Sequence, residues 1–220
     1  MMSNLDPHLV SLVAPTSVEA EQYRTLRNAV ERVAKDKQAY VIAVSSPGTG
    51  DGKTITAINL AGALAQSETK RILLLDADFR ASVLAKRLGL SQQRGLAEAI
   101  VSEDPLDTVV VTSLPFNLAV VPAGCATRSP YEMLCSPRFR ELIGEARRRY
   151  DFIVVDTPPI VSVSDCRLIA ELVDGFVLVV AARRTTRAAI EEALRIVDPG
   201  KVLGFVLNDT DASLFGRAPA

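Results

Sequence analysis

Short β-branched apolar runs alternate with longer stretches whose apolar residues recur at helical spacing. Tyr40-Val41-Ile42-Ala43-Val44, Ile72-Leu73-Leu74-Leu75 and Phe152-Ile153-Val154-Val155 predict buried strands, as do Gly175 to Ala182 and Val202 to Leu207. Asp107 to Thr112 and Leu118 to Pro122 predict two more, split by the turn-like insert Ser113-Leu114-Pro115-Phe116-Asn117. Helices are predicted from Ser17 with an apolar stripe at Tyr23, Leu26, Val30 and Val33, and over Ile55 to Gln66, Ser82 to Gly89 and Leu96 to Val101. Others follow over Pro130 to Leu134, Ser136 to Arg149, Ser164 or Asp165 to Leu172, and Thr186 to Val197. Ser17 is an N-cap candidate with Glu19 and Glu21 behind it, and Ser136-Pro137 pairs an N-cap with proline at the first helical position. The alternation predicts an α/β fold: a doubly wound, mostly parallel sheet with helices on both faces. Residues 1–16, with Pro7 and Pro15 and no periodicity, read as an extended lead-in, residues 17–210 as one domain, and residues 211–220 as a loose tail. The strand containing Phe205-Val206-Leu207 is expected to be buried and adjacent to the ligand end of the sheet.

Composition narrows the function classes. The 220 residues are 48% apolar, enough for a sizeable core, and the net charge of −1 provides no basic field for a nucleic-acid backbone, so no nucleic-acid partner is expected. Cys125, Cys135 and Cys166 show neither metal-site nor redox spacing, which fits a reduced compartment. His8 is the only histidine and lies in the polar lead-in, which sets aside histidine-based catalysis. No apolar run approaches the ~20 residues of a membrane span, and a cytoplasmic location is expected.

The chemistry concentrates at Ser45-Ser46-Pro47-Gly48-Thr49-Gly50-Asp51-Gly52-Lys53-Thr54, between the first strand and the alanine-rich helix. Strand, Gly-rich turn and a helix opening on Gly-Lys-Thr describe a P-loop, whose small residues let amides surround a phosphate at a helix N-terminus. Pro47 stands where the pattern has its first glycine, leaving Gly48 and Gly50 to supply local freedom. Gly48, Thr49, Gly50, Asp51, Gly52, Lys53 and Thr54 are the candidate nucleotide-binding residues. Lys53 is expected to reach the β/γ-phosphates of a nucleoside triphosphate, and the Thr54 hydroxyl to ligate Mg²⁺.

Two more strand ends carry acids. Asp76-Ala77-Asp78-Phe79-Arg80 places two carboxylates two residues apart, pointing the same way if extended, where a shared Mg²⁺ would offset their repulsion near a phosphate. Asp156-Thr157-Pro158-Pro159 places an acid before a stiff turn, the position of a direct or water-mediated Mg²⁺ partner. Glu21 with Arg24, and Arg27 with Glu31, stand at ion-pair spacing on the first helix.

These motifs together resemble the bacterial tyrosine kinases of capsule and exopolysaccharide synthesis, within the partitioning-type P-loop ATPases, over roughly residues 16–210. The resemblance rests on the P-loop, on Asp76-Ala77-Asp78-Phe79-Arg80 as a Walker A′ element, on Asp156-Thr157-Pro158-Pro159 with Ser164-Asp165, and on Glu21-Gln22-Tyr23-Arg24-Thr25-Leu26-Arg27 as E-x-x-R-x-x-R. It implies phosphoryl transfer from ATP to a tyrosine hydroxyl in the regulation of polysaccharide polymerisation or export. Lys53 would hold phosphates, Thr54, Asp76 and Asp156 would hold Mg²⁺, and Asp78 would accept the hydroxyl proton. Arg80 would orient Asp78 or neutralise phosphate charge, and Asn208 would lie near the adenine. It further implies a homo-oligomeric ring through Glu21, Arg24 and Arg27. A separate membrane activator of the polysaccharide co-polymerase type would recruit the chain to the inner face of the membrane. Gly48 stands where partitioning ATPases carry a lysine, which favours the kinase branch. Kinases of this family usually end in a tyrosine cluster, whereas Tyr23, Tyr40, Tyr131 and Tyr150 all lie upstream here. The alternative is therefore a nucleotide-controlled switch or scaffold without kinase activity.

Overall fold

The computed structural model describes residues 5–91, 94–112, 114–163 and 165–210. Its elements run α1 (Val10–Val13), α2 (Val18–Val33), β1 (Tyr40–Ser45), α3 (Lys53–Ala65), β2 (Ile72–Asp76), α4 (Leu84–Arg87), α5 (Leu96–Val101) and β3 (Ala119–Val121). They continue as α6 (Pro130–Cys135), α7 (Pro137–Arg149), β4 (Phe152–Asp156), α8 (Asp165–Ala170), β5 (Gly175–Ala181), α9 (Arg187–Ile196) and β6 (Val202–Asn208). The six strands form one parallel sheet in the order β3-β2-β4-β1-β5-β6. One apolar core lies beneath α5 to α9 and a second beneath α1 to α4, so both faces are covered. That double burial explains why β1, β2 and β4 are apolar without alternation.

The caps at Ser17 and Ser136 are present, their side chains accepting from the Ala20 and Arg138 amides, and Thr186 caps α9 in the same way by accepting from Ala189 N. Four expectations need correction or fall elsewhere. Residues 107–112 form no strand; Leu106–Val109 is a 3₁₀ turn that buries Leu106 and Val109 three residues apart, and only Val111 bridges to Val120. Phe205 and Leu207 are half exposed, at 51% and 50%, because β6 is the edge of the sheet, although its end does reach the P-loop. The lead-in is not extended throughout, since α1 packs on α3 with Leu9 and Leu12 buried. Ser113, Ser164 and residues 211–220 lie outside the described residues.

What seats the lead-in is Asn59, fully buried on α3. Its Oδ1 accepts from Ser11 N at 2.9 Å, while Nδ2 donates to His8 O at 2.9 Å and Ile55 O at 3.0 Å. Beside it, a Cβ on Gly62 would come within 2.9 Å of Leu12 Cδ2, so the helix needs glycine where α1 crosses. Replacing Asn59 by Leu strands two buried backbone groups, and we expect a loss of about 2–3 kcal/mol in urea unfolding. Limited proteolysis of the same variant should cut first within residues 5–14.

Candidate functional site

Strand order creates the site. β4 lies between β1 and β2, so the P-loop after β1, Asp76 at the end of β2 and Asp156 at the end of β4 occupy three adjacent strand tips. The register pairs Asp76 with Asp156 and Val44 with Asp156. Neighbouring parallel strands lie about 4.8 Å apart with paired side chains on one face, which brings the carboxylates together. Gly52, with φ of 101°, turns the loop into α3 in a conformation that suits glycine and puts Lys53 in the first helical turn.

Lys53 Nζ donates to Asp78 Oδ2 at 2.7 Å, lies 3.8 Å from Asp156 Oδ1 and meets Thr54 Oγ1 at 3.5 Å. Asp78 Oδ1 accepts from the Arg80 and Ala81 amides at 3.2 and 3.1 Å. Asp76 accepts from Asp78 N at 3.0 Å and from Ser82 Oγ at 2.6 Å. Asp76, Asp78 and Asp156 are all buried. Burial, with the Asp156 charge next, pushes Asp76 up to about 8; burial also pushes Asp156 up to about 6, against the pull of Lys53. Burial alone would lower the Lys53 pKa, but Asp156 and Asp78 outweigh it and the net direction is upward. Lys53, Thr54 and Asp78 border a cleft of about 390 Å³ lined also by Thr49, Gly50 and Pro159, with Asp76 and Asp156 buried behind them.

Three carboxylates with one ammonium leave the pocket short of positive charge. Arg80 does not supply it, for its guanidinium forms a two-pronged pair with buried Asp165 at 2.7 and 3.1 Å. Asp156 Oδ1 is buried with no hydrogen-bond partner. No self-sufficient cluster of three or more His, Cys, Asp or Glu is present among the described residues. A divalent ion shared between one or two carboxylates, a hydroxyl and phosphates fits this donor set.

The other sequence-derived candidates are less direct. The Gly48 amide donates to Asp51 Oδ2 at 2.9 Å, so it is engaged inside the loop. Asn208 lies against the loop, its Nδ2 donating to Asp51 O at 3.0 Å. Glu21 pairs with Arg24 on α2. Arg27 bonds Glu31 Oε1 at 3.0 Å and Ala63 O at 2.9 Å, tying α2 to α3 within one chain. Ser82, Asp165 and Arg184 were not singled out as site residues. Arg184 grips the Gly50 carbonyl from the loop after β5, and only the strand order, which sets β5 beside β1, reveals that proximity.

A lysine buried among carboxylates at the head of a helix, at the tips of a parallel sheet, is arranged to grip the phosphates of a nucleotide. Fold and site thus define a P-loop nucleotide-binding protein. A family model described as an AAA domain matches residues 39–197. The chain is 33% identical over 209 residues to tyrosine-protein kinase YwqD of Bacillus subtilis, covering 94% of this chain and 87% of that protein. It is 34% identical over 210 residues to the succinoglycan biosynthesis transport protein ExoP of Rhizobium meliloti, covering 93% of this chain but only 26% of ExoP. The solved BceF tyrosine kinase domain superposes with a TM-score of 0.80 at 29% identity, over 93% of this chain and 83% of that one. The chain belongs to this AAA-domain family and, within it, to the bacterial tyrosine-protein kinases. No helix among the described residues is long and apolar enough to cross a membrane.

The folded protein keeps a proton on Asp156 up to pH about 6 and on Asp76 up to about 8, whereas the unfolded chain releases both near 3.8, so the nucleotide-free protein loses stability as pH rises from about 4 to 8. We expect Asp76→Asn to flatten that decline and to raise Tm at pH about 8 by about 5 °C in thermal melts without nucleotide.

Proposed function

We propose that the cleft binds ATP with Mg²⁺ and passes the terminal phosphoryl group to a protein tyrosine, with each residue in the role its surroundings favour. The observation that carries this reading is the position of Lys53 Nζ, 2.7 Å from Asp78 and 3.8 Å from the unpartnered Asp156 Oδ1, inside the cleft. Mg²⁺, when bound, neutralises phosphate charge, and Thr54, Asp76 and Asp156 are the residues that would hold it.

The remaining chemistry is positioning. Lys53 exchanges Asp78 for phosphate oxygens, which frees Asp78 Oδ2 while Oδ1 stays fixed by the Arg80 and Ala81 amides. A phenol has pKa about 10 and a carboxylate about 4, so Asp78 orients the tyrosine hydroxyl and takes its proton late, as the phosphoryl group moves. Arg80, held by Asp165, fixes the turn that carries those amides. Of the four tyrosines Tyr131 is the exposed one, at 46%, and is the readiest acceptor within the chain, whereas Tyr40 is only 4% exposed.

Assembly is proposed through the edge of α2 that carries exposed Glu21 and half-buried Arg24, with a membrane activator of the co-polymerase type as the recruiting partner. Arg27 is less suited to an intersubunit contact because it already serves α3. Arg24→Glu should shift the size distribution in light scattering toward monomer with Tm unchanged within about 2 °C, since surface substitutions cost little.

Mass spectrometry for phosphotyrosine after incubation with Mg²⁺-ATP and an activator tests the activity. We expect modification in wild type, none in Lys53→Met, and a loss of about 10²-fold or more in Asp78→Asn, the scale on which a positioned base contributes. ATP binding without any phosphotyrosine, on this chain or on partners, would instead favour the nucleotide-controlled scaffold.

A further inference from the structure

The cleft opens toward β4 and β2: Asp78, Arg80, Pro159 and Ser162 line its outer side. The P-loop, however, is also held from the opposite direction. β5 and β6 lie on the other side of β1, and each sends one side chain to the loop. Arg184 donates to the Gly50 carbonyl, with its Nε 3.7 Å from Asp51 Oδ1. Asn208 Nδ2 donates to the Asp51 carbonyl at 3.0 Å and lies so close to Gly52 that a Cβ there would come within 2.1 Å of it.

These are consecutive carbonyls, and that fixes the orientation of two peptide units. A trans peptide is planar, with its C=O and the following N–H pointing in opposite directions. A Gly50 carbonyl held toward β5 therefore turns the Asp51 N–H toward the cleft, and an Asp51 carbonyl held toward β6 does the same for the Gly52 N–H. Successive amides turned one way form an anion-binding concavity. Without outer partners, Gly50 and Gly52, both at positive φ (84° and 101°), have the freedom to let those peptides rotate.

The anchors are themselves fixed. Ala182 N donates to Asn208 O at 2.8 Å, which ties the two bracing segments together. Arg184 N and Thr185 N donate to Ala181 O at 3.2 and 3.0 Å, and Thr185 Oγ1 accepts from Ala181 N at 2.9 Å. Arg183, at φ of 64°, makes the bend that delivers Arg184 to the loop. Arg184 also lies 3.4 Å from Asp209, just past β6. Asp51, 3% exposed, has its carboxylate between the Gly48 amide and this guanidinium.

We infer that Arg184 and Asn208 are positioning residues which hold the Gly50 and Asp51 carbonyls outward and so preset the Asp51 and Gly52 amides for phosphate. The inference rests on the reading that the loop holds a nucleotide's phosphates, and it gives Asn208 a task independent of the base.

Calorimetric titration of ATP, ADP and inorganic tripolyphosphate into wild type, Arg184→Ala, Arg184→Lys and Asn208→Ala tests it. Each alanine variant should weaken all three ligands by a common factor of about tenfold, the scale of one hydrogen bond to a charged or positioned group. Arg184→Lys should recover part of the loss, because an ammonium can reach one carbonyl without the guanidinium fork. Since Arg184 is 54% exposed, Tm of its variants should stay within about 2 °C of wild type. Wild-type affinity in Arg184→Ala overturns the inference. So does a loss for ATP and tripolyphosphate but not ADP, which would mean direct contact with the terminal phosphate. A loss in Asn208→Ala for ATP and ADP but not tripolyphosphate would mean a base contact and overturns its half. Wild type that binds none of the three overturns the parent reading, and the brace with it.

Discussion

The structure depends on one electrostatic constraint: a single buried ammonium set among three buried carboxylates at adjacent strand tips. Charges of one sign so close in a region poor in water raise each other's proton affinity, and removing water from ions is costly in itself. The fold accommodates the cluster because Lys53 offsets one charge, Ser82 and local amides satisfy Asp76 and Asp78, and the remaining tension is left on Asp156. The site is thus built incomplete with respect to charge, and a ligand that brings a cation relieves it.

Around that cluster the rest of the chain works as scaffolding for a narrow rim. The parallel register fixes Asp76 beside Asp156, and the burial of β1, β2 and β4 on both faces makes a slip of that register expensive. Asp165 carries this order outward by taking Arg80 in a two-pronged pair, while Cys166 next to it donates to Pro158 O at 2.9 Å. One short helix, α8, therefore anchors both acidic loops. The family relationship explains what such a rim is for; the hydrogen bonds explain how it is kept.

Much of this was legible in the residues. Strand, glycine turn and Gly-Lys-Thr are local signals, and so are the acids that follow Leu75 and Val155, because short apolar runs that stop at a carboxylate end where the sheet ends. The serine caps at Ser17 and Ser136 were equally plain. Less legible were features set by neighbours in space. Phe205 and Leu207 have the apolarity of a buried strand, and only the sheet order shows that nothing pairs beyond β6. Residues 107–112 look strand-like, yet Leu106 and Val109 satisfy the core through i,i+3 spacing after Pro105. Arg80 follows the acids as a phosphate ligand would, yet Asp165, 85 positions later, holds it. Arg184 had no motif at all, since its partners, the Gly50 carbonyl and the carboxylates of Asp51 and Asp209, lie far from it along the chain and meet it only through the sheet order.

The outermost strand has one consequence beyond its exposure. β6 has Phe205 and Leu207 open to solvent and ends at Asn208, whose amide grips Asp51. The sheet margin is thereby tied to the P-loop, directly through Asn208 and again through Asp209 and Arg184. A displacement of that margin by a fraction of an ångström would carry the Asp51 carbonyl with it.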